Sequence, residues 1–202
     1  MTDRAAVLLV GGRGRRMGSP KASLVFGGKT LLERAVAILA PAVEHLIVVH
    51  APGQSLPDLP RSVQLAADER EDHGPLEGLR VGLFLAAQRT DRVFVSAVDT
   101  PFLVPAFVSR LFDLLGNHDA AIPMHAGHRH PLSGCYLTAV AELADELLAV
   151  GERRPRALLD RIDTRYVTAA DFKEEDPEMR SLRNLNDPDD LRAALSELSG
   201  TE

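Results

Sequence analysis

VLLVGGRGRRMGSPK, running from Val7 to Lys21, decides the fold. Four apolar residues, Val7 to Val10, are too few for a helix, and they empty into glycines interleaved with arginines before a closing lysine. That is the pattern of a buried strand feeding an anion-binding loop. Gly11, Gly12 and Gly14 have no Cβ and tolerate positive φ, so backbone N–H groups can converge on phosphate oxygens. Arg13, Arg15, Arg16 and Lys21 bring the charge that neutralises a polyphosphate. The plainer alternative is a surface loop with solvated basic residues; the coincidence of strand, glycine and charge favours the phosphate loop. Two well-known phosphate loops do not fit. A Walker A loop needs GxxxxGK, and Ser19 stands where its lysine belongs; a dinucleotide fingerprint needs a third glycine where Met17 stands.

Working outward, alternating strand and helix patterns continue the theme. Leu24 to Phe26 and a Gly27-Gly28 turn lead to Thr30, three residues before Glu33, which predicts a capping box and a helix ended by Pro41. Leu46 to Val49 predicts a second strand that delivers His50 to its end, and Val63 to Ala66 a third that ends near Asp68. A helix from Gly74-Pro75 to Gln88 carries Gly78 and Gly82, residues that allow close packing. Arg92 to Ala97 predicts a fourth strand with Asp99 just beyond it, and Pro105 to Leu115 the returning helix. Such alternation implies a parallel sheet with right-handed crossovers and helices on both faces, whose ligands gather at the carboxyl ends of the strands. The glycine loop, His50, Asp68 and Asp99 all fall there.

The second half is less regular. Strands are expected at 120–123 and 132–137, helices at 139–148 and 156–162, and a last strand at 165–168. Residues 171–179 read as a charged, solvated loop. A final helix opens at Asp187-Pro188 with Leu191, Ala194, Leu195 and Leu198 on its apolar side. No repeat or linker divides the 202 residues, so one domain, 1–202, is expected, a three-layer α/β/α with a mostly parallel twisted sheet.

Composition excludes some classes. With 45% hydrophobic and 26% charged residues the chain has an ordinary globular balance and enough length for a full core. A formal charge of −6 argues against sequence-independent nucleic-acid binding, so basic groups act locally. No apolar run approaches a membrane span and no secretory signal opens the chain, which points to the cytoplasm. The single Cys135 lies in an apolar setting and reads as a core thiol.

Asp99, in VDTPF, is a carboxylate at the tip of a buried strand on the same rim as the phosphate loop, and it suits Mg²⁺, which prefers hard oxygen ligands. Taken alone it could equally be a turn aspartate before Pro101. His125, His128 and His130 invite a zinc reading, but no cysteine or carboxylate completes the set.

The loop, as Leu9, Gly11, Gly12, Arg16, Met17, Gly18 and Lys21, resembles the signature of nucleotidyltransferases of the nucleoside-diphosphosugar transferase type, a Rossmann-like fold. Further segments resemble the molybdenum cofactor guanylyltransferases along nearly the whole chain. They are Asp68 before GPL at 74–76, DTPF at 99–102, His130-Pro131, GERR at 151–154, and Asn184, Asn186 and Pro188 before the last helix. The resemblance implies transfer of GMP from GTP to molybdopterin carrying molybdenum, with Mg²⁺ on Asp99 as the metal ligand and release of pyrophosphate. It implies Lys21, Arg16 and Asp99 as catalytic residues. Leu9, Val10, Gly11, Gly12, Gly14, Lys21, His50, Asp68 and Asp99 would bind nucleotide; His130, Arg153, Arg154, Asn184 and Asn186 would bind the pterin substrate. Molybdoenzyme apoproteins or their chaperones are the implied partners. Gly11, where cytidine-using relatives commonly carry alanine, favours guanine, and Asp68 can accept two hydrogen bonds from its N1–H and N2–H₂ edge. Two features depart from the guanylyl pattern. Ser19 and Pro20 precede Lys21 as in many cytidylyltransferases, and His50 stands where asparagine is common. The competing readings are a cytidylyl or sugar-phosphate nucleotidyltransferase, and a non-catalytic nucleotide-binding accessory protein.

Overall fold

Ala5–Leu9 (β1) has nothing exposed beyond a sliver of Leu9, because helices cover both of its faces. In this computed structural model, which describes residues 3–11, 20–69 and 73–199, alternate residues of that strand point into two separate cores. Ala6, Leu8 and Val10 meet one layer of helices; Ala5, Val7 and Leu9 meet the other. The result is three layers.

After a 3₁₀ turn at Lys21–Ser23, the short strands Val25–Phe26 (β2) and Lys29–Thr30 (β3) form a small antiparallel ribbon. Thr30 then caps Leu31–Leu39 (α1), with its hydroxyl accepting from the Glu33 N–H and the Glu33 carboxylate accepting from the Thr30 N–H, which is the expected capping box. His45–His50 (β4) and Val63–Ala67 (β5) follow, then Pro75–Ala87 (α2), Arg92–Ala97 (β6) and Pro105–Leu115 (α3). The chain continues through Ala120–His125 (β7), His128–Arg129 (β8), Ser133–Leu137 (β9), Ala141–Ala149 (α4), Pro155–Leu159 (α5), Thr164–Val167 (β10) and Pro188–Ser199 (α6).

Among the described residues the main sheet runs β10-β7-β9-β6-β1-β4-β5, with β8 paired to β7. β6, β1, β4 and β5 are parallel, so their carboxyl ends share one rim. β9 is antiparallel to both β6 and β7, and β10 returns parallel to β7. The sheet is therefore mostly parallel, with β9 reversed near its middle and the short β8 reversed beside β7, and α2 and α4 pack together on one face.

Two glycines of α2 set its distance from the sheet. A Cβ at Gly82 would stand 2.4 Å from a methyl of Val7, and one at Gly78 would stand 3.3 Å from Leu9. Only glycine lets the helix lie this close. Cys135 is fully buried, the expected core thiol, and burial pushes its thiol well up.

The segment 171–179 corrects the expectation of a solvated loop. Phe172 is fully buried and stacks on Phe107 with ring centroids 4.5 Å apart, Met179 is nearly buried, and Asp176 accepts from the N–H groups of Arg180 and Ser181. Its charged residues mask two apolar anchors that are too widely spaced to show a period. Among the described residues, no helix is long and apolar enough to cross a membrane.

Candidate functional site

The four parallel strands release their chains onto one rim, and hydrogen bonds continue the ladder past the strand ends. Val10 N–H donates to Val49 C=O (2.9 Å), Val98 N–H to Leu9 C=O (3.0 Å) and Asp68 N–H to His50 C=O (2.8 Å). The exits of β1, β4, β5 and β6 are thereby locked side by side. Gln54 adds a stitch. Its Oε1 accepts from Ala51 N–H and its Nε2 donates to Val10 C=O, both at 3.1 Å. Between these exits opens a cleft of about 540 Å³, of a size suited to a small ligand, bordered by Leu9, Gly11, Gln54, Asp68, Gly78 and Asp99.

One wall is built on Asp99. Its Oδ2 lies 2.5 Å from Lys21 Nζ, and both side chains are largely withdrawn from water. Its Oδ1 is buried and has no hydrogen-bond donor among the described residues. Lys21 is carried there by the 3₁₀ turn after Pro20, whose Ala22 is fully buried, while the backbone C=O of Asp99 accepts from Leu185 N–H at 2.9 Å. An orphaned carboxylate oxygen on a cleft wall, acceptor-only and hard, fits a magnesium ligand. Among the described residues no group of three histidines, cysteines or carboxylates could cage a metal.

The other wall is Asp68. Its Oδ1, also buried and without a partner among the described residues, lies 3.3 Å from where a Cβ at Gly78 would stand, and its Oδ2 3.7 Å from where one at Gly11 would stand. A side chain at Gly11 would therefore project toward this carboxylate. Burial, reinforced by Glu77, pushes the Asp68 carboxyl up to about 6, against the opposing pull of His50 and Arg80. Glu77 is wholly buried and paired with Arg80 through two hydrogen bonds of 3.0 and 2.9 Å, and Arg80 also donates to Glu69 at 2.6 Å.

The remaining expected residues fall at different distances from this cleft. Val10 is buried beneath the rim, with its carbonyl on Gln54. His50 borders a neighbouring hollow with Leu56 and Leu65, and its Nδ1 lies 2.9 Å from Ala51 C=O. Arg153 abuts the start of α2: its C=O accepts from Leu76 N–H, and Gly74, at φ +72°, packs against it so closely that a Cβ there would stand 3.1 Å from that carbonyl. Arg154 is exposed and forked onto Glu152. Asn184 and Asn186 are exposed on either side of Leu185, which places them beside Asp99. His130 is part-buried with its Nε2 unpartnered, and burial together with His125 and His128 holds its imidazole below the ordinary value. Gly12, Gly14 and Arg16 lie outside the described residues.

Sequence reading missed Gln54, hidden in a proline- and glycine-rich excursion, and the buried Glu77–Arg80 pair. The latter had a signal, since two charges three residues apart interrupt an otherwise apolar helix face.

The chain is similar to known proteins. Residues 6–166 match the MobA-like NTP transferase domain. A protein of Mycobacterium avium named "Probable molybdenum cofactor guanylyltransferase" is 38% identical over 193 residues, covering 94% of this chain and 93% of that one. One of the same name from Methanosarcina acetivorans is 35% identical over 211 residues, covering 98% and 92%. Among solved structures, molybdopterin-guanine dinucleotide biosynthesis protein A from Archaeoglobus fulgidus superposes with a TM-score of 0.79 at 25% identity, over 97% of this chain and 99% of that one.

Proposed function

The chain belongs to the MobA-like NTP transferase family, and from that membership we propose that it transfers GMP from GTP to the phosphate of molybdenum-bearing molybdopterin, releasing pyrophosphate. It is a nucleotidyltransferase. In the proposed reaction a phosphate oxygen of the acceptor forms a bond to the α-phosphorus of GTP while the bond from that phosphorus to the bridging oxygen breaks, so no protein nucleophile is required.

One observation carries the reading: a carboxylate lining the nucleotide-sized cleft has one buried oxygen without a partner among the described residues and holds an ammonium ion on the other. Asp99 is the residue that would hold Mg²⁺, and the cation when bound supplies charge neutralisation on the phosphates. Lys21 would neutralise the departing pyrophosphate. On the facing wall Asp68, when ionised, offers two acceptors to a guanine edge, with Gly11 and Gly78 leaving room for the base. Asn184 and Asn186, beside Asp99, together with Arg153, are assigned to the acceptor. Nothing in this scheme needs a membrane, and we place it in the cytoplasm.

The test is pyrophosphate release from GTP and from CTP, each with molybdenum-molybdopterin, with and without Mg²⁺. GTP with Mg²⁺ is expected to be the productive combination, and Asp99→Asn to cost on the order of 10²-fold or more in turnover. Preference for CTP would overturn the base assignment, and an unaffected Asp99→Asn would remove the metal site.

A further inference from the structure

Asp99 has two claimants. We propose that Lys21 is the resident counter-ion of Asp99 and competes with the divalent cation for it, so that the metal binds together with the triphosphate and only poorly alone. The proposal rests on the metal assignment made above and adds an order of events to it.

The geometry is that of a close charge-assisted bond, 2.5 Å from Nζ to Oδ2, between side chains only 21% and 13% exposed. A pair so placed is screened far less by water and salt than a surface pair. The free oxygen of the same carboxylate, Oδ1, is buried. A cation docking on Oδ1 while the ammonium remains on Oδ2 would set like charges side by side across one carboxylate, in a poorly hydrated wall where repulsion is strong. Good metal binding therefore requires the ammonium to leave.

It leaves only toward another anion. Among the described residues that border the cleft, the other carboxylate is Asp68, at the end of β5, three strand spacings or about 14 Å from the end of β6. That is too far for a side chain anchored beside Asp99. A triphosphate entering the cleft provides the anion at close range. Lys21 swings to its phosphates, and Asp99 takes up the cation that the phosphates carry. Either ligand alone leaves one half of the split ion pair uncompensated, whereas both together compensate both halves. Nucleotide and cation must then strengthen each other's binding, and by linkage they do so reciprocally.

Mn²⁺ serves as the probe, followed without nucleotide by the electron paramagnetic resonance of the free ion. Lys21→Met is expected to bind Mn²⁺ at least about fivefold more tightly than the native chain, the low end of ordinary coupling. Lys21→Arg, which keeps the charge, should bind as weakly as the native chain. The gain of Lys21→Met should disappear when Asp99→Asn is added. Equal or weaker binding by Lys21→Met, or a gain that survives Asp99→Asn, would overturn the competition. Failure of the underlying metal assignment looks different: with GTP present, the native chain and Asp99→Asn would then retain Mn²⁺ equally.

Discussion

Asp68, the proposed reader of the base, illustrates how such a residue works against the fold that holds it. Burial and the neighbouring Glu77 raise its carboxyl to about 6. Between the ordinary carboxylate range and that value, the folded chain keeps a proton that the unfolded chain has already released, so stability contributed by the protonated form is lost as pH rises through the window. Asp68→Asn, which cannot ionise, should therefore melt above the native protein at pH 8, and the gap should close toward pH 5. Activity should move the opposite way. Below about pH 6 the protonated carboxyl no longer offers two acceptors to guanine, so the KM for GTP should rise with acidification in the native chain and stay flat in Asp68→Asn. Melting curves at both pH values and KM from pH 5 to 8 check this; a pH-independent gap would mean Asp68 is not strained. Part of this was legible in the chain, since Asp68 and Asp99 both follow the ends of expected strands, the buried β6 for Asp99 and the more exposed edge strand β5 for Asp68. Their partners were not. Nothing in the spacing of Lys21 and Asp99, 78 residues apart, announces an ion pair, because side-chain pairing across a rim depends on strand order, which is not a local property.

Elements announced themselves where the signal was local. The Thr30–Glu33 capping box and the helix α2 both appear as read, because capping and helical periodicity act over one turn. The reversal of β9 between β6 and β7 did not show, since a strand buried on both faces has the same composition whichever way it runs. The two close-packing glycines of α2 make separable predictions. Gly82→Ala would drive a Cβ into both methyls of Val7, a fully buried residue on a strand paired at both edges. Overpacking costs about 1–3 kcal/mol, more than the gain of up to about 1 kcal/mol in helix propensity, so a drop of a few degrees in Tm is expected with KM for GTP unchanged. Gly78→Ala meets Leu9 and the Asp68 carboxylate at the looser 3.3 Å, and Val49 at an ordinary 3.8 Å. It should leave Tm nearly unchanged while raising KM for GTP. Equal effects of the two substitutions on KM would show that α2 does not line the nucleotide site.

The whole molecule is closed by its C-terminal segment, which grips the loop carrying Asp99. Leu185 N–H donates to Asp99 C=O, Val104 N–H donates to Ser181 Oγ at 3.3 Å, and the guanidinium groups of Arg180 and Arg183 sit 5.0 and 5.1 Å from the centre of the Phe102 ring. Both arginines are in turn bonded to Glu197 of α6. From the opposite side Phe26 meets Phe102 edge to face, and Arg34 donates to Pro101 C=O at 2.6 Å. Phe102 is thus the piece on which the ends of the chain converge, three residues from the proposed metal ligand. If this clasp holds Asp99 and the neighbouring Asn184 and Asn186 in register, removing the ring should cost more than stability. Phe102→Ala should lose about 2 kcal/mol through lost packing and cation–π contact, or roughly 4–8 °C in Tm. It should also lower kcat for guanylyl transfer severalfold at temperatures where the variant is fully folded, with KM for GTP little changed because the Asp68 wall is untouched. Phe102→Trp, which restores an aromatic face for both arginines, should recover kcat ahead of Tm, because the larger ring still strains its packing. A Phe102→Ala variant that melts early yet turns over like the native chain would reduce the clasp to scaffolding, with Asp99 positioned by β6 and Lys21 alone.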